Sequence, residues 1–304
     1  MSVTEERPRS AFGVTRPSGE PPARRRMGRG RRRPAAARLL GARSRAVMWV
    51  GLGLGLAVYV VFGILPAAGN LVISLTNYSG LAGSVTRFTG LENYVDLATT
   101  ERPGFVASLS ATVIFVVGVT VVQNALGLLA AHRLQGNDRM ASFLRVLVFL
   151  PIVLGVTVVG LVWILIFNPS EGPAAAVARF FGVSSAFFGS YGMAMPLVIG
   201  VQIWQNTGFS TLVFIGGLKA ISPEIYEAAS LDGIRSWQRL RRITFPLLSP
   251  AVTVNVLLAV VGSFTTYNLI YILTDGLYHT DTLGMLAFNS AFGTSANLGL
   301  GAAV

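Results

Sequence analysis

The stretch Ser222-Pro223-Glu224-Ile225-Tyr226-Glu227-Ala228-Ala229-Ser230-Leu231-Asp232-Gly233, continuing to Ile243-Thr244-Phe245-Pro246, is a polar island between two long apolar segments. Ser222 suits a helix N-cap and Pro223 its first turn. Glu224 and Glu227 lie early in that helix, where the dipole favours negative charge. Asp232-Gly233 is a turn that ends it. A second, basic helix is expected over roughly 235–242. The first helix has barely two turns, and an isolated helix shorter than about 12–15 residues is marginal in water, so it needs a surface to dock on. Ile225, Ala228, Ala229 and Asp232 share one face, with two very small side chains at its centre. Two docking surfaces fit this composition equally. One is a cleft in another protein, with Glu227 pairing an arginine there. The other is the flat face of the chain's own membrane domain, with Glu227 solvated.

Outward from this island the chain is dominated by charge-free runs. Residues 47–75, 103–131, 146–170, 180–218 and 243–274 each contain or exceed the roughly 20 residues a helix needs to cross a bilayer. The fourth run opens with an irregular outer segment. Only 12% of the 304 residues are charged, against about a quarter in soluble domains, too few to coat a globule of this size. With a mean hydropathy of +0.61, the class is all-α: a polytopic transmembrane helical bundle of five complete spans. Asn297 to Val304 looks like the first turns of a sixth span, and a truncated record is the expectation there.

The charge that remains is asymmetric. Of 24 Lys and Arg, thirteen lie in residues 1–45, with Arg24-Arg25-Arg26 and Arg31-Arg32-Arg33 as clusters. This tail has too little apolar surface to offset its ordering entropy and reads as disordered. Three more arginines follow the second run, and Lys219, Arg235, Arg239, Arg241 and Arg242 follow the fourth. Basic residues mark cytoplasmic loops, so the N-terminus and the 219–246 loop are expected in the cytoplasm. The domain organisation is then a basic tail, 1–45, and a membrane domain, 46–304. An arginine-rich arm is compatible with nucleic acid, but an anionic lipid surface is the better partner.

Several chemistries are excluded. Without cysteine there is no disulfide, thiolate metal site or thiol nucleophile, and His132 and His279 are too distant in sequence to suggest a metal centre. No Asp, Glu, His or Arg falls inside the five assigned spans, unlike ion-coupled carriers. An intramembrane protease has no acidic pair or Ser/His pair to use. No G-x-x-x-x-G-K-[ST] occurs, so the chain is not itself an ATPase or other enzyme. The fourth run instead carries Gln202, Gln205, Asn206 and Phe209, and the fifth Asn255, Ser263, Thr266 and Tyr267. Amides, hydroxyls and rings suit a neutral polyol better than an ion; their alternative role is to join helices.

Glu227-Ala228-Ala229, then Gly233, then Ile243 and Pro246, resembles the EAA motif of permease subunits of bacterial ABC importers, E-A-A-x3-G-x9-I-x-L-P. Every spacing fits; Phe245 stands where the family has Leu. Phe88-Thr89-Gly90-Leu91-Glu92-Asn93-Tyr94 is similar to the F-x-G-L-x-N-Y of the carbohydrate-importer branch, the maltose and glycerol-phosphate type. Leu150-Pro151 with Trp163, and Trp204 with Gly208-Phe209, also fit. So does Leu273-Thr274-Asp275-Gly276, with Leu277 where a second Gly is common. The resemblance covers about residues 47–304. It implies a transport subunit in the cell membrane, importing a sugar or oligosaccharide delivered by an extracytoplasmic binding protein. It implies a second permease subunit as heterodimer partner and a cytoplasmic ATPase dimer that binds the ATP and Mg, with no cofactor on this chain. The coupling residues would be Glu227, Ala228, Ala229, Asp232, Gly233 and Arg235. The substrate pathway would involve Gln202, Gln205, Asn206, Phe209, Ser263, Thr266 and Tyr267. The alternatives are a permease for another solute such as glycerol 3-phosphate, or a membrane anchor without transport.

Overall fold

The computed structural model describes residues 35–304 apart from Ala82, Asn137 and Ser295. Its helices, in chain order, are α1 Ala35–Tyr59, α2 Leu65–Ile73, α3 Glu92–Ala98, α4 Arg102–Leu134, α5 Arg139–Val153, α6 Val156–Ile166, α7 Pro173–Phe180 and α8 Ala194–Lys219. They continue as α9 Pro223–Leu231, α10 Ser236–Arg239, α11 Phe245–Leu247, α12 Ser249–Thr265, α13 Asn268–Thr274, α14 Leu283–Phe292 and α15 Leu298–Ala303. A π-helical turn, Val60–Ile64, joins α1 to α2. The contacts group the chain into two units divided between Val61 and Phe62. The all-helical expectation holds. Of the expected tail, 1–34 lies outside the described residues, whereas 35–45 is already helical. Ala35-Ala36-Ala37 and Leu39-Leu40 are strong helix formers and carry α1 back past the apolar run.

Two helices are long and apolar enough to cross a membrane, Val47–Ile73 and Pro103–Leu134. Two further helix pairs qualify if each is one broken span: α5 with α6, bent by 103°, and Ser236–Leu247 with α12, bent by 69°. At 26 residues α8 is long enough, but Gln202, Gln205 and Asn206 dilute its apolar run. The α5–α6 break has a local cause. Pro151 removes a backbone donor and disfavours helix at the residue before it, and Leu154 and Gly155 are extended.

The second unit is organised on α4 and α8, which lie along each other. Gly118 of α4 abuts Ile199 of α8, and nine residues on, Gly127 abuts Ser210. The nearly constant offset means the two helices run parallel. A Cβ on Gly127 would come within 2.8 Å of the Ser210 Cβ, so only glycine allows this approach. One apolar cluster joins Phe115 and Val119 of α4 to Val198 and Val201 of α8, with Leu269, Ile270 and Met285. A second joins Ala131 and Leu134 to Phe214, Ile215 and Leu218, with Leu248 at the start of α12. Between these two clusters the contact changes character and becomes polar.

Candidate functional site

Gln123, about two-thirds of the way along α4, donates through Nε2 to Ser210 Oγ at 2.8 Å, and Asn255 of α12 donates through Nδ2 to the Ser210 carbonyl at 3.1 Å. All three residues are buried. They line a cavity of about 250 Å³ together with Gln202, Asn206, Phe209 and Ser263. Asn255 Oδ1 and Ser263 Oγ are buried there and have no hydrogen-bonding partner among the described residues. Unmet acceptors are costly in a dry interior. Among the described residues, no charged side chain lines the cavity.

The structure therefore brings together four of the seven residues expected on a pathway: Gln202, Asn206, Phe209 and Ser263. It places the other three elsewhere. Gln205 donates to the Leu154 carbonyl at 3.2 Å, meeting an acceptor exposed by the α5–α6 break. Neighbouring side chains satisfy broken helices in this way. Thr266 turns its hydroxyl back to the Gly262 carbonyl at 2.7 Å, capping the end of α12. Tyr267 stacks on Phe288 of α14 with centroids 4.9 Å apart and faces a different recess. Sequence reasoning missed Gln123 and Ser210. Gln123-Asn124 was nevertheless the one amide pair inside the 103–131 run, and that was its trace.

The 219–246 loop folds as expected, with differences of detail. Pro223 begins α9, Asp232 follows its last residue, and Gly233 takes φ +68°. Ser222 makes no side-chain capping bond. The basic helix is a single turn, α10, running into a π turn at Leu240–Thr244. Arg239 sits 5.9 Å from the Tyr226 ring centre, bracing α9 and α10 against each other. Ala229 is turned inward and buried, whereas Glu227, Ala228, Asp232, Gly233 and Arg235 are exposed. No other helix of the described chain packs extensively along α9. Leu231 is 88% and Trp237 70% exposed beside it, leaving an acidic and apolar surface uncovered.

Comparisons with known proteins agree with this architecture. The chain is 32% identical to the sn-glycerol-3-phosphate transport system permease protein UgpA of Agrobacterium fabrum, over 80% of this chain and 83% of that one. It is 31% identical to the trehalose/maltose transport system permease protein MalF of Thermococcus litoralis, over 82% and 84%. Its fold is similar to a chain of a bacterial alginate ABC transporter solved with a pentasaccharide-bound periplasmic protein. That match has a TM-score of 0.72 and 18% identity, covering 86% of this chain and 88% of that one. A family profile described as binding-protein-dependent transport system inner membrane component matches residues 123–304. The chain belongs to that family, the membrane permeases of binding-protein-dependent ABC importers.

Proposed function

We propose that this permease imports a neutral sugar or oligosaccharide, and that the cavity between α4, α8 and α12 is where the sugar passes. The observation that carries this reading is the lining: amides, hydroxyls and one aromatic ring set among aliphatic side chains such as Val119, Ile152 and Leu258, with no charge among the described residues. Sugar hydroxyls meet such acceptors without a counter-ion. Glycerol 3-phosphate would need helix N-termini or cationic side chains from a partner to balance its charge.

Five spans are assigned to Val47–Ile73, α4, the bent α5–α6 pair, α8 and the broken α12–α13 segment, with α14 and α15 following. The parallel course of α4 and α8 supports this count, because it requires an odd number of crossings between them. The basic loops support a cytoplasmic N-terminus. On that orientation α9 faces the cytoplasm, and its uncovered surface is the lever for a partner ATPase dimer carrying ATP and Mg. Glu227, Ala228, Asp232, Gly233 and Arg235 offer the contact, and Ala229 anchors the helix from within. A second permease subunit and an extracytoplasmic solute-binding protein complete the assembly.

The test is uptake into proteoliposomes holding this subunit with its co-encoded partners. ATP-dependent accumulation of a neutral disaccharide, reduced by Asn206→Ala and Ser263→Ala, is expected. Accumulation of glycerol 3-phosphate but of no neutral sugar would reverse the substrate assignment.

A further inference from the structure

A second recess lies at the other end of α4, away from the α9 loop. It is lined by Ser110 of α4, by Tyr191 just ahead of α8, and by Tyr278, His279 and Asp281 from the α13–α14 connection. Its volume is about 600 Å³, within the usual range for ligand pockets. On the orientation proposed above, it opens outside the cell.

Three aromatic rings gather on its rim. Tyr191 meets Tyr278 edge-on at 5.3 Å and His279 at 4.9 Å. The segment that presents them is held in an uncommon backbone conformation. Asp275, Tyr278 and His279 all have positive φ, at 54°, 57° and 65°. Such conformations persist where surrounding contacts over-determine them. Those contacts are visible. Thr274 and Thr280 join hydroxyls at 2.6 Å across the base of the loop. Thr112 Oγ1 accepts from the Leu283 amide at 2.8 Å, and Ser108 donates to Asp281 Oδ2 at 2.8 Å. The rings are thus set on a pinned frame. The second carboxylate oxygen, Asp281 Oδ1, is enclosed by protein and has no hydrogen-bonding partner among the described residues.

Rings that expose their faces receive the C–H surface of a pyranose, and the Asp281 carboxylate, which lines the recess beside them, accepts its hydroxyls through Oδ2. A metal ion is the weaker occupant, because no group of three acidic or imidazole ligands occurs among the described residues. We infer that this outer recess is a receiving site for neutral saccharide, with Tyr191, Tyr278 and His279 as stacking platform and Asp281 as hydroxyl acceptor. The inference rests on the permease reading and adds a stop before the inner cavity. The carboxylate also selects: it repels uronates and phosphates at the mouth of the pathway.

The test uses the purified permease–ATPase complex without its binding protein, with maltose and trehalose as probes. Saturation-transfer NMR is expected to give sugar signals with wild type. Those signals should fall at least roughly fivefold in Tyr191→Ala and return in Tyr191→Phe; Tyr191 is 67% exposed, so the complex is expected to assemble normally on gel filtration. Asp281→Asn should admit galacturonate, which wild type excludes. Absence of signal with either sugar in wild type overturns the site, as does a signal unchanged in Tyr191→Ala. ATP-driven sugar uptake by a wild type that gives no such signal removes only the outer site. Failure of ATP-driven uptake of any solute removes the permease reading itself.

Discussion

Gln123 on α4 and Ser210 on α8 are joined by a buried 2.8 Å hydrogen bond where two apolar clusters part. The bond has a structural and a functional consequence. It closes the α4–α8 contact at its one polar level, and it holds the Ser210 turn so that Asn255 reaches the adjacent carbonyl. The cavity wall is therefore built from side chains that also fix its shape.

Replacing Gln123 by Leu leaves Ser210 Oγ without its donor. Hydrogen bonds between membrane helices contribute about 0.6 kcal/mol on average and up to roughly 1.7. A loss at the upper end is expected here, because both partners are buried. Thermal unfolding in detergent measures it. Ser210→Ala should cost a similar amount, and the double variant should cost less than the sum.

At Gly233 the expected effect of a side chain changes in kind. Crowding is not what excludes a side chain there, because a Cβ on Gly233 meets nothing within 4 Å. The obstacle is φ +68°, a left-handed conformation that costs an L-residue about 1–2 kcal/mol. Gly233→Asn should accordingly retain most uptake, because Asn tolerates this region, whereas Gly233→Val should lose it. Equal loss in both would mean that the space outside the turn is occupied by a partner.

The loop was legible because its devices are local: a proline at the helix start, an Asp-Gly turn at its end, and fixed spacing between them. The long apolar runs were legible for the same reason. Facing was not. Gln202, Gln205 and Asn206 are near neighbours on one helix, yet only the first and last line the cavity, because the α5–α6 break sits beside Gln205. Which side chain of α8 lies beside that break depends on tertiary packing which no periodicity records. Gln123 was hidden because an amide in an apolar run reads equally as helix glue.

Glu227→Lys tests α9 as a lever. Glu227 is exposed and Ala229 alone turns inward, so charge reversal leaves the fold of the loop intact. Membrane insertion and thermal stability should match wild type, while binding-protein-stimulated ATP hydrolysis and uptake fall by roughly tenfold or more, about 1.4 kcal/mol of coupling. Retained stimulation would mean that Glu227 faces no partner.

Asp281 gives a pH dependence whose sign is fixed. Burial raises its pKa above the ordinary 3.8, and the Ser108 hydrogen bond only partly offsets this. The folded state then holds its proton more tightly than the unfolded one. The stability this contributes is complete below about pH 4 and is lost as pH rises through the raised value. Asp281→Asn keeps an acceptor for Ser108 and removes the charge. Melting curves should show the variant at least as stable as wild type at neutral pH, with the gap narrowing on acidification. A gap that widens in acid would mean that the carboxylate is held by a cation.

Gln205→Leu separates pathway from scaffold. If Gln205 serves the break between α5 and α6, its loss strands the Leu154 carbonyl and lowers the melting temperature, at a cost of about 1 kcal/mol. The apparent affinity for sugar should then be unchanged at temperatures where the variant is folded. Asn206→Ala, one residue along, should do the reverse: its Nδ2 bonds only to the Gln202 carbonyl of its own helix, so it weakens uptake with little effect on melting. A shift in sugar selectivity on replacing Gln205 would place that amide in the passage and require the α5–α6 break to move during transport.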